Sequence, residues 1–132
     1  MPESPKKILI IDDDHFFVQL LTDSFTESGF TVFNAYDGLE GVKVYMEASP
    51  DVVLCDLIMP QMGGADTCSE IDRLAGAGQP VIVMISSTFQ EPPHEHDVPE
   101  MGAKVHIPKC IRPVDIVIIV EQLLERVRYK QN

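Results

Sequence analysis

Four carboxylates stand at two points where an apolar run stops: Asp12, Asp13 and Asp14 follow Ile8-Leu9-Ile10-Ile11, and Asp56 follows Val52-Val53-Leu54-Cys55. A short aliphatic run that ends at carboxylates reads as a buried strand whose carboxyl end opens into solvent, which puts both acidic points on one edge of a sheet. Like charges crowded there repel by roughly 4 kcal/mol per pair at about 4 Å and an effective dielectric of about 20, so the cluster requires a cation or a raised pKa. A carboxylate is a competent nucleophile toward phosphorus, forming an aspartyl phosphate, once something neutralises the incoming charge. Phosphoryl transfer is catalysed mainly by positioning and electrostatics, so its minimal kit is an in-line nucleophile, a divalent metal and donors to the phosphoryl oxygens. Asp56 with Asp12 and Asp13 supplies a nucleophile and hard oxygen ligands that suit Mg²⁺. Ser86, after Val81-Ile82-Val83-Met84-Ile85, offers a hydroxyl, and Lys109, soon after Val105-His106-Ile107, offers an ammonium point charge.

Each part also has a plainer reading. An Asp at a strand end is often a turn former or helix N-cap, and for Asp14 that reading stands level with a functional one. Asp12, Asp13 and Asp56 together are not accounted for that way. A Ser after a strand is more often structural and a lone Lys more often solvated; Ser86 and Lys109 are singled out by the aspartates that accompany them.

The elements that must position these residues alternate along the chain. After the first strand, residues 15–28 carry Phe17, Leu20, Leu21 and Phe25 at helical spacing, and Gly29 stands where a helix is capped. Residues 30–35 alternate enough for a strand. Asp37, with Glu40 three residues later, resembles a capping box that opens a helix with Leu39, Val42 and Met46 inward, closed by Pro50. The strand ending near Asp56 leads into a loop over 57–64, then a helix over about 65–75 with Cys68, Ile71 and Leu74 in register. Gly76, Gly78 and Pro80 punctuate the next turn, and residues 81–85 and 105–107 form the fourth and fifth strands. The last helix begins with Pro113 at its first position and runs to about 128; residues 116–120 alone could pass for a strand, but the continuation to Arg128 decides for helix. Strands regularly separated by helical patterns predict an α/β fold, a parallel doubly wound sheet whose ligands sit beyond the carboxyl ends of the strands at a topological switch point.

Length and composition bound the rest. A chain of 132 residues fits one domain, and 45% hydrophobic with 23% charged residues excludes disordered and fibrous classes. The net charge of −11 argues against nucleic acid, whose phosphates require clustered Lys and Arg. Cys55, Cys68 and Cys110 form no C-x-x-C pair and fit reduced thiols in a cytoplasm. The four-residue apolar stretch after Lys7 is too short for a signal peptide, and the longest run elsewhere, 116–120, is far too short to span a bilayer, so a cytoplasmic protein with no membrane partner is expected.

The run Ile8-Leu9-Ile10-Ile11-Asp12-Asp13-Asp14, then Asp56-Leu57-Ile58-Met59-Pro60-Gln61-Met62-Gly63-Gly64, Ser86-Ser87, Gly102-Ala103 and Lys109 resembles the receiver domain of two-component response regulators over nearly the whole chain, about 7–127 of 1–132. The D-x-x-M-P-x-M-x-G segment after a buried strand is far more specific than an isolated acid pair. The resemblance implies a flavodoxin-like three-layer α/β/α sandwich with a five-stranded parallel sheet of order 2-1-3-4-5. It implies that Asp56 accepts a phosphoryl group from a sensor histidine kinase or histidine phosphotransfer protein. Asp13, Asp56 and the Ile58 backbone carbonyl would hold Mg²⁺, and Asp12 would act through the metal's water shell. Ser86 would bond a phosphoryl oxygen and move on activation, with Lys109 bridging to the phosphate. Such a module is a phosphoacceptor and not an enzyme in its own right, its catalysis confined to its own phosphorylation and dephosphorylation.

Three departures from the family stand out. Lys109 is followed by Cys110 where the family has Pro and a cis peptide, with prolines displaced to Pro108 and Pro113. A cis bond before a non-proline costs about 2.5–4 kcal/mol, so either the surroundings meet that cost or Lys109 is presented differently. The switch aromatic is replaced by His106, which can pack as a ring and add pH sensitivity, although a merely packed strand histidine is the plainer reading. Third, Pro92, Pro93 and Pro99 forbid a regular helix over 88–100, where the family's fourth helix belongs; this segment is expected to be mobile without phosphate and ordered by it. His94-Glu95-His96-Asp97 within it could bind a transition metal, against the plainer reading of a solvated loop.

No effector domain follows before Asn132, so output is expected by binding an unknown downstream protein, unless the chain is a fragment. The run Val114, Ile116, Val117, Ile118, Ile119 and Val120 offers more than one helical face, leaving room for a partner or homodimer surface through the last helix beside the alternative of complete burial. Two other functions compete: a degenerate receiver that binds partners without phosphorylation, and a small phosphatase using Asp56 as a transient nucleophile, which would lack a second Asp where Ile58 stands.

Overall fold

The computed structural model describes residues 5–76, 78–86 and 105–131, the side chains of 128–131 excepted. The elements are β1 (Lys7–Ile11), α1 (His15–Glu27), β2 (Thr31–Ala35), α2 (Gly38–Ala48), β3 (Val52–Asp56), α3 (Gly64–Ala75), β4 (Val81–Ser86), β5 (Val105–Pro108) and α4 (Pro113–Gln131). All strand pairs are parallel, and the sheet order is β2-β1-β3-β4-β5, as the resemblance implied.

The three central strands are apolar on both faces because helices cover both. Ile8, Ile10, Val52, Leu54, Val81, Val83 and Ile85 pack with Phe17, Leu21 and Phe25 of α1 and Ile116, Val117 and Val120 of α4. The alternate residues Leu9, Ile11, Val53, Cys55, Ile82 and Met84 pack with Tyr45 of α2 and Cys68 and Ile71 of α3. One residue of slip would exchange these two sets, so the register is fixed by both cores at once.

Helix ends follow local chemistry. Asp14 caps α1, its Oδ1 accepting from the Phe16 and Phe17 amides, each at 3.1 Å. At the other end Gly29 takes φ +94°, the Gly29 amide donates to Thr26 O and the Phe30 amide to Phe25 O, each at 3.0 Å. This is a Schellman closure, sealed by the edge-to-face contact of Phe25 and Phe30 at 5.0 Å. Asp37 caps α2 through the Glu40 amide at 2.8 Å.

The inward face of α2 differs from the expectation. Leu39 and Met46 are 64% and 57% exposed, and Gly38, Gly41 and Tyr45 face the core instead. A Cβ on Gly41 would run into Ile11, so α2 lies closer to β1 than a Leu-lined helix can, and the glycines set its rotation. Leu20 is likewise half out, its place in α1 taken by Val18. The α4 run divides: Ile116, Val117 and Val120 are buried while Val114 and Ile118, one turn apart, are about half exposed.

Candidate functional site

Strand pairing assembles the site. Ile11 is in register with Cys55, so the chain leaves β1 at Asp12 and reaches Asp56 on adjacent strands at the same sheet edge. Asp12 is fully buried; its amide donates to Ala35 O at 3.1 Å, and its Oδ1 accepts from the Asp14 amide at 2.9 Å. Asp56 is 4% exposed, and its Oδ1 accepts from the Ile58 amide at 3.3 Å while the Ile58 side chain points to solvent. Asp12, Asp13 and Asp56 each offer a carboxylate oxygen, all within 4.8 Å of one another, with Asp13 exposed and the other two buried.

The loop after Asp56 is held tightly. The Leu57 amide donates to Ile85 O and the Gly64 amide to Leu57 O, each at 2.8 Å, and the Thr67 hydroxyl to Gly63 O at 2.8 Å. Any Cβ on Gly64 would collide with the Asp56 carbonyl oxygen and Leu57 Cα, so the start of α3 can lie against the phosphoacceptor candidate only as glycine.

Lys109 reaches the site without a cis peptide, none being present among the described residues. Its amide donates to Ser86 O at 2.7 Å, which ties the turn after β5 to the end of β4. Its Nζ lies 2.8 Å from Asp12 Oδ2 and 3.5 Å from Asp56 Oδ2. The approach to Asp12 Oδ2 is at ion-pair distance, and among the described residues this buried oxygen has no other partner. The substitution of Cys110 for proline therefore leaves the ammonium among the acids. Ser86 is 1% exposed, and its Oγ lies 2.5 Å from Nε2 of His106.

Burial and the charge of Asp12, only partly offset by Lys109, push the Asp56 pKa up to about 7. Burial also raises Asp12, against the pull of Lys109. Burial alone would lower Lys109, but Asp12 and Asp56 outweigh it and its pKa is raised. One lysine against three carboxylates leaves excess negative charge, and an orphaned buried oxygen with hard ligands around it fits a small divalent cation.

Asp12, Asp13, Asp56, Ile58, Ser86, His106 and Lys109 thus converge on one sheet edge. Ser87, Gly102, Ala103 and the segment 88–100, with its three prolines and His94-Glu95-His96-Asp97, lie outside the described residues. Sequence reasoning took Gly64 only as the last residue of the motif and gave no site role to the Phe17 ring, which lies 5.0 Å below the Lys109 ammonium. The repeated glycine of Gly63-Gly64 was a usable signal for the first; Phe17 read only as core.

Comparison with known proteins agrees. The chain is 32% identical over 113 residues to the chemotaxis protein CheY of Thermotoga maritima, covering 85% of this chain and 92% of that protein. It spans about half (51–53%) of several other curated relatives, among them regulators described as DNA-binding. Among solved structures, a CheX-CheY-BeF₃-Mg²⁺ complex from Borrelia burgdorferi is similar at 31% identity and TM-score 0.77, covering 90% of this chain and 89% of that one. A CheY-like receiver domain protein from Methanospirillum hungatei shares the fold at TM-score 0.85 and 22% identity over 96% of this chain and 99% of that one. Since the response regulator receiver domain matches across residues 8–121, around the acids, hydroxyl and lysine just described, the chain belongs to that family.

Proposed function

We propose that this chain is the phosphoacceptor module of a two-component phosphorelay, with residues 7–127 forming one receiver domain. Asp56 Oδ attacks the phosphorus of a phosphohistidine on a sensor histidine kinase or phosphotransfer protein; the P–N bond breaks and its electron pair stays with the imidazole, which takes up a proton. Asp12, Asp13, Asp56 and the Ile58 carbonyl are the residues to hold Mg²⁺, which would supply charge neutralisation to the phosphoryl oxygens. Lys109 contributes a mobile positive charge that can pass from Asp12 to the phosphoryl group, and Ser86 contributes a hydroxyl donor once its bond to His106 opens. The observation that carries the reading is the ammonium of Lys109 lying within 3.5 Å of both buried carboxylates, a placement that a solvated surface lysine does not adopt.

Output is then phosphorylation-dependent binding of a downstream protein, with Val114 and Ile118 on α4 as one exposed apolar pair that a partner or second copy could cover. Nucleic acid is not expected to be a partner of this acidic chain. Incubation with Mg²⁺ and acetyl phosphate should add a single phosphoryl group by intact mass, and Asp56→Asn should abolish it. Unmodified wild type, with partner binding unimpaired in Asp56→Ala, would favour the degenerate interaction domain instead.

A further inference from the structure

The Lys109 ammonium is held by three groups of different kinds: Asp12 at 2.8 Å, Asp56 at 3.5 Å and the face of the Phe17 ring, 5.0 Å from its centroid. The two carboxylates are variable neighbours. Both are candidate metal ligands, and Asp56 is the proposed phosphoacceptor, so on that reading each would change its charge or its coordination during the cycle. The ring is the constant neighbour among the three, since a quadrupole does not titrate or bind Mg²⁺.

Phe17 is also unusually well fixed for this task. It is 9% exposed, packs in the core with Leu21 and Phe25, and its amide is bonded by the Asp14 cap at 3.1 Å. On the other side only the backbone is fixed: the Lys109 amide bonds Ser86 O at 2.7 Å, but a long, freely rotating side chain separates that anchor from the ammonium. The position of the ammonium must then come from what its side chain touches. A partly desolvated cation over an aromatic face is where such an attraction is strongest.

We propose that Phe17 is a positioning residue for phosphoryl transfer: its ring face holds the Lys109 ammonium beside Asp56 by cation–π attraction while Lys109 exchanges Asp12 for the phosphoryl group. The proposal rests on the phosphoacceptor reading for its catalytic consequence, but the hold of the ring on Lys109 is independent of it.

The test replaces Phe17 with mono-, di- and trifluorophenylalanine, which keep the ring's shape while draining its negative face, in both wild-type and Lys109→Ala backgrounds. The first readout is the order parameter of the Lys109 side-chain methylenes by NMR without Mg²⁺ or phosphodonor. The second is the rate of phosphorylation by acetyl phosphate at saturating Mg²⁺. Both should fall stepwise with fluorine number, the rate by about fivefold or more across the series, and the rate effect should vanish in the Lys109→Ala background. A flat series, or an equal fractional fall in the Lys109→Ala background, would overturn the proposal. If wild type accepts no phosphoryl group, the phosphoacceptor reading fails, and the order parameters still decide whether Phe17 holds Lys109.

Discussion

Ser86 Oγ and His106 Nε2 lie 2.5 Å apart, so the hydroxyl expected to serve an incoming phosphoryl group is already engaged by the residue that the resemblance assigns to the switch position. Burial lowers the His106 pKa, which favours a neutral ring with one nitrogen free to accept. In the tautomer with its proton on Nδ1, His106 accepts from Ser86 at Nε2, and Ser86 must let go to donate to phosphate. His106→Phe keeps a packed ring but removes the acceptor, and one hydrogen bond of about 1 kcal/mol corresponds to roughly fivefold in affinity. Beryllofluoride with Mg²⁺ should bind that variant about fivefold more tightly; weaker binding would mean that His106 instead orients the hydroxyl toward the phosphoryl oxygens.

Metal affinity should rise with pH through about 7, because Asp56, with its pKa pushed up to about 7, must lose its proton before it can ligate. Calorimetry in buffers of different ionisation enthalpy should show a proton released on Mg²⁺ binding below that pH. Affinity flat between pH 6 and 8 would contradict the raised pKa.

The same shift has a consequence for stability without metal. The folded state holds the Asp56 proton more tightly than the unfolded chain, whose ordinary value is 3.8, so this group's stabilising contribution is full below about 4 and is lost as pH rises through about 7. Asp56→Asn removes the buried charge and should raise the urea midpoint at pH 8 while changing it little at pH 4.

Lys109→Ala should retain some phosphorylation by acetyl phosphate, since a metal and Asp56 can still position a small donor, while losing much of the conformational response. Amide chemical shifts on activation measure this. The substitution also strips the nearest cation from buried Asp12, so a destabilisation of about 1–3 kcal/mol is expected in denaturant without metal.

Gly64→Ala should be costly for a different reason: its methyl would press on the Asp56 backbone, and overpacking costs typically about 1–3 kcal/mol. A lowered urea midpoint together with weakened Mg²⁺ binding is expected; unchanged Mg²⁺ affinity would show that Asp56 does not depend on this close approach.

The sheet and its acidic edge were legible because two signals coincide in β1 and β3: an apolar run buried on both faces, then carboxylates at the carboxyl end. Lys109 and Ser86 became legible only beside those acids, since neither a lone Lys nor a Ser carries a periodic signal. What could not be read is rotation and contact. Leu39 and Met46 fit the helical period as well as Tyr45 does, and only the approach permitted by Gly41 beside Ile11 shows which side of α2 turns inward. Asp14 could be a cap or a functional group until its Oδ1 was seen on the Phe16 and Phe17 amides. Phe17 carried the signal of a core residue, which it also is, and its closeness to Lys109 arises from residues far apart in the chain.

The most direct measurement is fluorine NMR of the protein with Mg²⁺ and beryllofluoride. A receiver that accepts phosphate on Asp56 should show slow-exchanging bound-fluoride resonances in wild type that require Mg²⁺ and are absent in Asp56→Asn. Wild type without bound resonances, or with resonances that persist in Asp56→Asn, would contradict the assignment of Asp56 as phosphoacceptor.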